Sequence, residues 1–130
     1  ETRRPASTII DFSAGNWSPV RKPGRAQATI DRWIQGRKAH GERFIFSYYG
    51  QTRGGRSLSR PIGTITTRDR WAVVNGDTMR MLTVEEARRA MGFPSWYALP
   101  ENKRMAMHML GNAVCPGVAQ WVIRKLKEAA

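Results

Sequence analysis

A chain of 130 residues, 41% of them hydrophobic, is long enough for one small domain with a core of its own. It contains no apolar run able to span a bilayer, and its one cysteine, Cys115, excludes an internal disulfide and fits a reducing compartment. Lysine and arginine total 22 against 10 Asp and Glu, a net charge of +12 that points to a polyanionic partner. The arginines sit in turns rather than along one face of an amphipathic helix, which favours nucleic acid over a membrane surface.

In chain order, residues 1–25 read as irregular, with a short apolar strand around Ile9-Ile10 and a loop from Asp11 to Pro19 anchored by Phe12 and Trp17. The first residue, Glu1, is not methionine, which suggests a partial or processed chain. Ala26 to Lys38 reads as a helix, because Ile30, Trp33 and Ile34 share one face, and Gly41 ends the region. Phe44 to Tyr49 is rich in strand formers, and Gln51 to Ser57 reads as a flexible basic loop. A second strand is expected over Ile62–Thr66, a turn at Arg68-Asp69-Arg70 and a third strand over Trp71–Val74. Asn75-Gly76 is a strong hairpin signal, and Thr78 to Leu82 would return antiparallel.

From Arg80 onward the pattern becomes helical. Thr83 and Glu86 have the spacing of a capping box, in which hydroxyl and carboxylate each take up an unpaired amide of the first turn. Gly92 should stop that helix in the left-handed conformation. Pro100 suits the first turn of the next helix, Gly111 its end, and Pro116 the start of the last. In that last helix, Pro116 to Lys127, the residues Val118, Val122 and Leu126 form a stripe that wants a partner surface.

Capping rules do not explain Phe93-Pro94 or Gly111-Asn112. Arg80, Leu82, Thr83, Glu86, Ala87, Arg88, Gly92, Phe93 and Pro94, with Tyr97 beyond them, resemble the ninth sequence block of the DNA (cytosine-5)-methyltransferases. Gly111, Asn112, Ala113, Val114 and Pro116 resemble the tenth. Both blocks occur in order and at family-like spacing. Thr64-Ile65 is similar to the Thr-[Leu/Ile/Val] pair near the end of the family's target-recognition region, which precedes the ninth block. The family's catalytic blocks, F-x-G-x-G, P-C-Q, E-N-V and Q-x-R-x-R, do not occur in this sequence.

The resemblance implies an α+β fold: a short-stranded basic module of hairpins and one helix, then three C-terminal helices that in the family pack on a doubly wound α/β catalytic domain. The expected division is 1–79, a target-recognition-like DNA-binding region, and 80–130, the helical segment returning to the catalytic domain. The implied activity is transfer of a methyl group from S-adenosylmethionine to C5 of cytosine in duplex DNA, in a restriction–modification setting. The chain would be the recognition portion of that enzyme, as a fragment or a split subunit, inactive alone. A stand-alone, catalytically inactive DNA-binding module is the alternative, and an unrelated RNA- or ribosome-associated protein the more distant one. Expected partners are double-stranded DNA, the N-terminal catalytic portion and a second copy through the C-terminal helix, with no membrane. The expected location is the cytoplasm of a bacterial or phage-like system, at the nucleoid.

Among individual residues, Arg53, Arg56, Arg60, Arg68 and Arg70 are candidate DNA contacts. Arginine forks onto phosphate or the guanine edge, and the interleaved Gly54 and Gly55 allow close backbone approach. Thr64 joins them by the resemblance, which puts its hydroxyl near a phosphate. The resemblance also places Asn112, Ala113 and Val114 beside the methionine portion of the cofactor, with Ala113 able to offer only its backbone. No catalytic residue and no metal site is expected. Cys115 lies outside a Pro-Cys-Gln context and reads as a packing thiol. His40 and His108 with one cysteine make no zinc pattern. Glu85 and Glu86 read as first-turn carboxylates favoured by the helix dipole.

Overall fold

The computed structural model describes residues 4–48, 54–68 and 70–130. A turn of 3-10 helix, Ala6–Thr8, opens it, followed by β1 (Ser18–Pro19), α1 (Gln27–His40), β2 (Arg43–Ser47), β3 (Trp71–Asn75) and β4 (Thr78–Met81). Then come α2 (Val84–Met91), α3 (Lys103–Asn112) and α4 (Pro116–Ala129). The strands form one antiparallel sheet in the order β1-β4-β3-β2. The class is α+β, as expected.

Alternation along the strands decides the layers. Phe44, Phe46, Ala72, Val74 and Met79 face α1, where Trp33 and Val20 complete a buried cluster. Ile45 and Val73 face the other way, onto Ile9, Ile10, Leu82, Ala87, Met91, Met107 and Leu110. That second cluster draws on the N-terminal turn, α2 and α3 together, so residues on both sides of position 80 share one core. On the α1 side the helix approaches so closely that a Cβ on Gly36 would lie 2.1 Å from the Phe44 ring.

Several local signals are realised as written. Thr83 Oγ1 accepts from the Glu86 amide and Glu86 returns a bond to the Thr83 amide, a complete capping box. Gly92 takes φ 79°, and the Gly92 and Phe93 amides close onto Arg89 and Arg88 oxygens, a Schellman ending. Pro116 occupies the first turn of α4. The hairpin after β3 is present, shifted by one residue. Asn75 still pairs with Thr78, and the two-residue loop is Gly76-Asp77, with Gly76 at φ 61° where a II′ turn takes glycine.

Four expectations are corrected. Ile9 and Ile10 are buried but form no strand, because their amides turn back onto the Ala6 oxygen. Residues 18–19, expected as loop, form β1 against Met79 and Thr78. Residues 62–66 belong to no strand. Trp71 takes the Thr64 carbonyl through its indole N–H (3.0 Å), Arg56 takes the Pro61 carbonyl, and a Cβ on Gly63 would lie 2.5 Å from the Trp71 ring. Pro100 lies outside any helix, since α3 begins three residues later, at Lys103, behind Asn102, whose side chain caps the Met105 amide.

Candidate functional site

A buried polar centre is built from the stretch that resembles the ninth block. Arg80, at the end of β4, turns its guanidinium onto Glu86 in the first turn of α2. The two bonds are parallel, Nη1 to Oε1 at 2.7 Å and Nη2 to Oε2 at 2.9 Å. Both side chains are almost wholly buried. Arg80 also donates to the Asp11 and Met81 carbonyls, and Glu86 accepts from the Asp11 and Thr83 amides. Burial is the largest influence on the Glu86 carboxyl and pushes it up. The Arg80 bonds, the two amides and the Arg80 charge outweigh that and hold it below its ordinary range. Glu86 was expected to be a cap and a dipole partner only. The cap is present, and the spacing of Arg80 to Glu86 was the unused signal for the ion pair.

This pair holds the loop 11–17 on the sheet. The Trp17 ring lies over the Arg80 guanidinium at 4.6 Å, Phe12 stacks on Trp17, and Arg43 caps Phe12 at 4.3 Å. Gly15 passes so near that a Cβ there would lie 2.6 Å from Arg80 Cδ. The expected anchors Phe12 and Trp17 therefore do anchor, through cations as much as through apolar packing. The neighbouring Arg88 pairs with Glu85 at 2.7 Å and donates to the Phe93 carbonyl, fixing the turn into Phe93-Pro94. Hydrogen bonds from Arg88 in turn lower the Glu85 carboxyl.

The candidate DNA residues divide by what their side chains already do. Arg53 lies outside the described residues. Arg56 is committed internally: its backbone bridges Ile45, its guanidinium reaches the Pro61 carbonyl at 3.1 Å and lies over Trp71. Arg60, Thr64, Arg68 and Arg70 are exposed on the segment that leads into β3. Within it Ile65 is buried in the core, which turns its neighbour Thr64 outward. Thr66 Oγ1 closes onto the Arg68 carbonyl at 3.0 Å. A shallow cavity of about 310 Å³ lies elsewhere, between Asn16, Ser18, Arg25, Tyr48, Met79, Arg80 and Met81. Its cations are taken up inside the fold, Arg80 by Glu86 and Arg25 by Ser18, Pro19 and Val20.

The tenth-block stretch ends α3. Gly111, expected to terminate that helix in the left-handed region, is instead its penultimate residue, with Ala113 as the capping position. The reason for glycine is space. A Cβ there would lie 2.3 Å from the Thr66 carbonyl carbon and the Thr67 nitrogen. Asn112 is exposed and meets His108 at 3.1 Å; the Ala113 amide donates to the Leu110 carbonyl; Val114 is 65% exposed. The turn 112–114 is thus exposed at Asn112 and Val114 and half-buried at Ala113. Cys115 is half-buried against Met91, as a packing thiol.

Beyond it, α4 projects. None of its residues is buried, and Val118, Trp121, Val122, Ile123 and Leu126 are all exposed, Leu126 at 67%. The helix is formed as far as Ala129 with none of its residues entering the core. No helix among the described residues is long and apolar enough to cross a membrane.

A family model described as C-5 cytosine-specific DNA methylase matches residues 11–128. Comparisons with curated proteins and with solved structures returned no match. The match runs from Asp11, which the Arg80–Glu86 pair fixes, to the end of α4, taking in the exposed arginines and both blocks. The chain belongs to the C-5 cytosine-specific DNA methylase family.

Proposed function

We propose that this chain is the C-terminal, DNA-recognition portion of a DNA cytosine-5 methyltransferase, as a fragment or a split subunit, and that it does not transfer methyl groups alone. The family's chemistry joins a methyl group from S-adenosylmethionine to a cytosine drawn out of duplex DNA. The observation that carries the reading is α4. It follows the tenth-block turn directly and holds its whole apolar face to solvent. Exposed apolar patches of this kind mark interaction sites. An N-terminal portion bearing the nucleophile and the glycine-rich cofactor turn would supply the missing surface. A stand-alone module that had lost catalysis would need a second copy or another partner to cover that face, whereas the catalytic portion covers it directly, which favours the first reading over the second. Upstream or adjacent coding sequence containing Pro-Cys-Gln separates the two.

In this reading residues 1–79 meet DNA and residues 80–130 join the catalytic portion, even though one core serves both. Arg60, Thr64, Arg68 and Arg70 face the duplex; Arg53, a candidate for the same role, lies outside the described residues. Arg56 supports their segment from beneath. Asn112, Ala113 and Val114 lie along one side of the S-adenosylmethionine site. The Ala113 amide is already engaged, so Asn112 and Val114 contribute more there.

The test is duplex binding across a salt series. Log affinity should fall linearly with log salt, by about 0.9 per neutralised phosphate. Replacing Arg68 and Arg70 by Ala should lower that slope by about 1.8 if each arginine neutralises one phosphate. An unchanged slope would place the DNA surface on another part of the molecule.

A further inference from the structure

The tenth-block stretch and the candidate DNA segment touch at one point, and the contact is backbone on backbone. Gly111 lies in the last turn of α3 with an ordinary helical conformation, so nothing about its φ requires glycine. What requires it is the neighbouring chain. A Cβ at 111 would stand 2.3 Å from Thr66 C, 2.3 Å from Thr67 N and 2.6 Å from Thr66 O. Side chains can swing away from such a clash; a peptide group moves only by displacing its segment. That segment is fixed on either side. Ile65 is in the core, the Thr64 carbonyl holds the Trp71 indole, and Trp71 begins β3. Thr64 and Arg68 lie within two residues of the contact, and Asn112 follows it directly.

We infer that Gly111 is a positioning residue for the candidate DNA surface: the missing side chain lets Thr66-Thr67 lie on α3 and so sets where Thr64, Arg68 and Arg70 are presented. The same contact makes the end of α3 and the recognition segment one mechanical unit, so a displacement of residues 64–70 is felt at the 112–114 turn and the reverse. The functional consequence rests on the DNA reading above; the contact itself does not.

The decisive comparison sets Gly111→Ala beside Gly36→Ala. Both add a methyl group to a helical glycine packed at sub-van-der-Waals distance. Gly36, however, abuts the Phe44 ring on the opposite face of the sheet. Alanine favours helix over glycine, so in open space Gly111→Ala would raise the melting temperature. It is expected to lower it, to shift the backbone amide resonances of Thr66, Thr67 and Arg68, and to weaken duplex binding. Gly36→Ala should also lower the melting temperature yet leave those amides and duplex binding as in the unaltered chain. A raised melting temperature with Thr66 to Arg68 unmoved overturns the inference. Should Gly111→Ala not fold, native-state hydrogen exchange on the unaltered chain decides. Residues 66–68 and 110–113 opening as one unit supports the link, and separate openings overturn it. A chain that binds no duplex at all refutes the DNA reading, while the amide shifts still test the contact.

Discussion

Glu86→Ala is the substitution that most directly probes how this fold is held. It strands the Arg80 guanidinium, which is 3% exposed and bound to the carboxylate through two bonds of 2.7 and 2.9 Å. Removing one partner of a buried pair costs about 3–5 kcal/mol. Here the upper part of that range is expected, because the Asp11 and Thr83 amides lose their acceptor as well, at 2.8 and 2.9 Å. Small domains hold about 5–15 kcal/mol in total, so the variant should stand near the edge of unfolding. Urea denaturation followed by tryptophan fluorescence reads the loss, since Trp17 lies on the Arg80 guanidinium. The double change Arg80→Met with Glu86→Leu should recover part of it, because no uncompensated charge remains in the interior. The pH dependence has a defined sign. Glu86 in the folded chain titrates below its ordinary value of 4.5, to which it returns on unfolding. Its contribution is therefore complete above about pH 4.5 and is lost as pH falls through the folded value. Glu86→Ala should be correspondingly less sensitive to acid. A loss below about 0.5 kcal/mol, in the range of ordinary surface changes, would show that the pair does not hold the fold.

Thr64→Val keeps the shape of an exposed side chain and removes its hydroxyl; in the assembled enzyme it should weaken duplex binding by roughly 0.5–1.5 kcal/mol, the net worth of one hydrogen bond. Unaltered affinity with the fold intact would remove Thr64 from the DNA surface. The α4 face should make the isolated chain self-associate, because burying one Val or Leu is worth about 1.5–3 kcal/mol. Sedimentation at several concentrations should show a rising mean mass that Trp121→Ser with Val122→Ser suppresses. A concentration-independent monomer would mean that the stripe needs no partner.

Signals that act over three or four residues were legible in the sequence. The capping box at Thr83, the stop at Gly92 and the proline at the start of α4 each concern one turn of chain, and each is realised. Signals that depend on what lies across the sheet were not. Residues 62–66 have strand composition, but the Trp71 indole takes the Thr64 carbonyl and Arg56 that of the adjoining Pro61. Gly111 reads as a helix stop, and only the position of Thr66-Thr67, some forty-five residues earlier in the chain, reveals it as a spacer. The Arg80–Glu86 pair was half legible. Both residues were singled out by the resemblance, but the capping role of Glu86 concealed that its carboxylate also neutralises a buried cation. Of the candidate DNA residues, sequence alone could not separate Arg56, folded inward onto Trp71, from the outward Arg60, Arg68 and Arg70.

If this chain recognises DNA for a methyltransferase whose nucleophile lies in another portion, neither portion should act without the other. Tritiated methyl incorporation from S-adenosylmethionine into duplex DNA tests it most directly, measured with the chain alone, with an N-terminal portion bearing Pro-Cys-Gln alone, and with the two mixed. Incorporation is expected only in the mixture. Incorporation by the chain alone, abolished by Cys115→Ser, would contradict it.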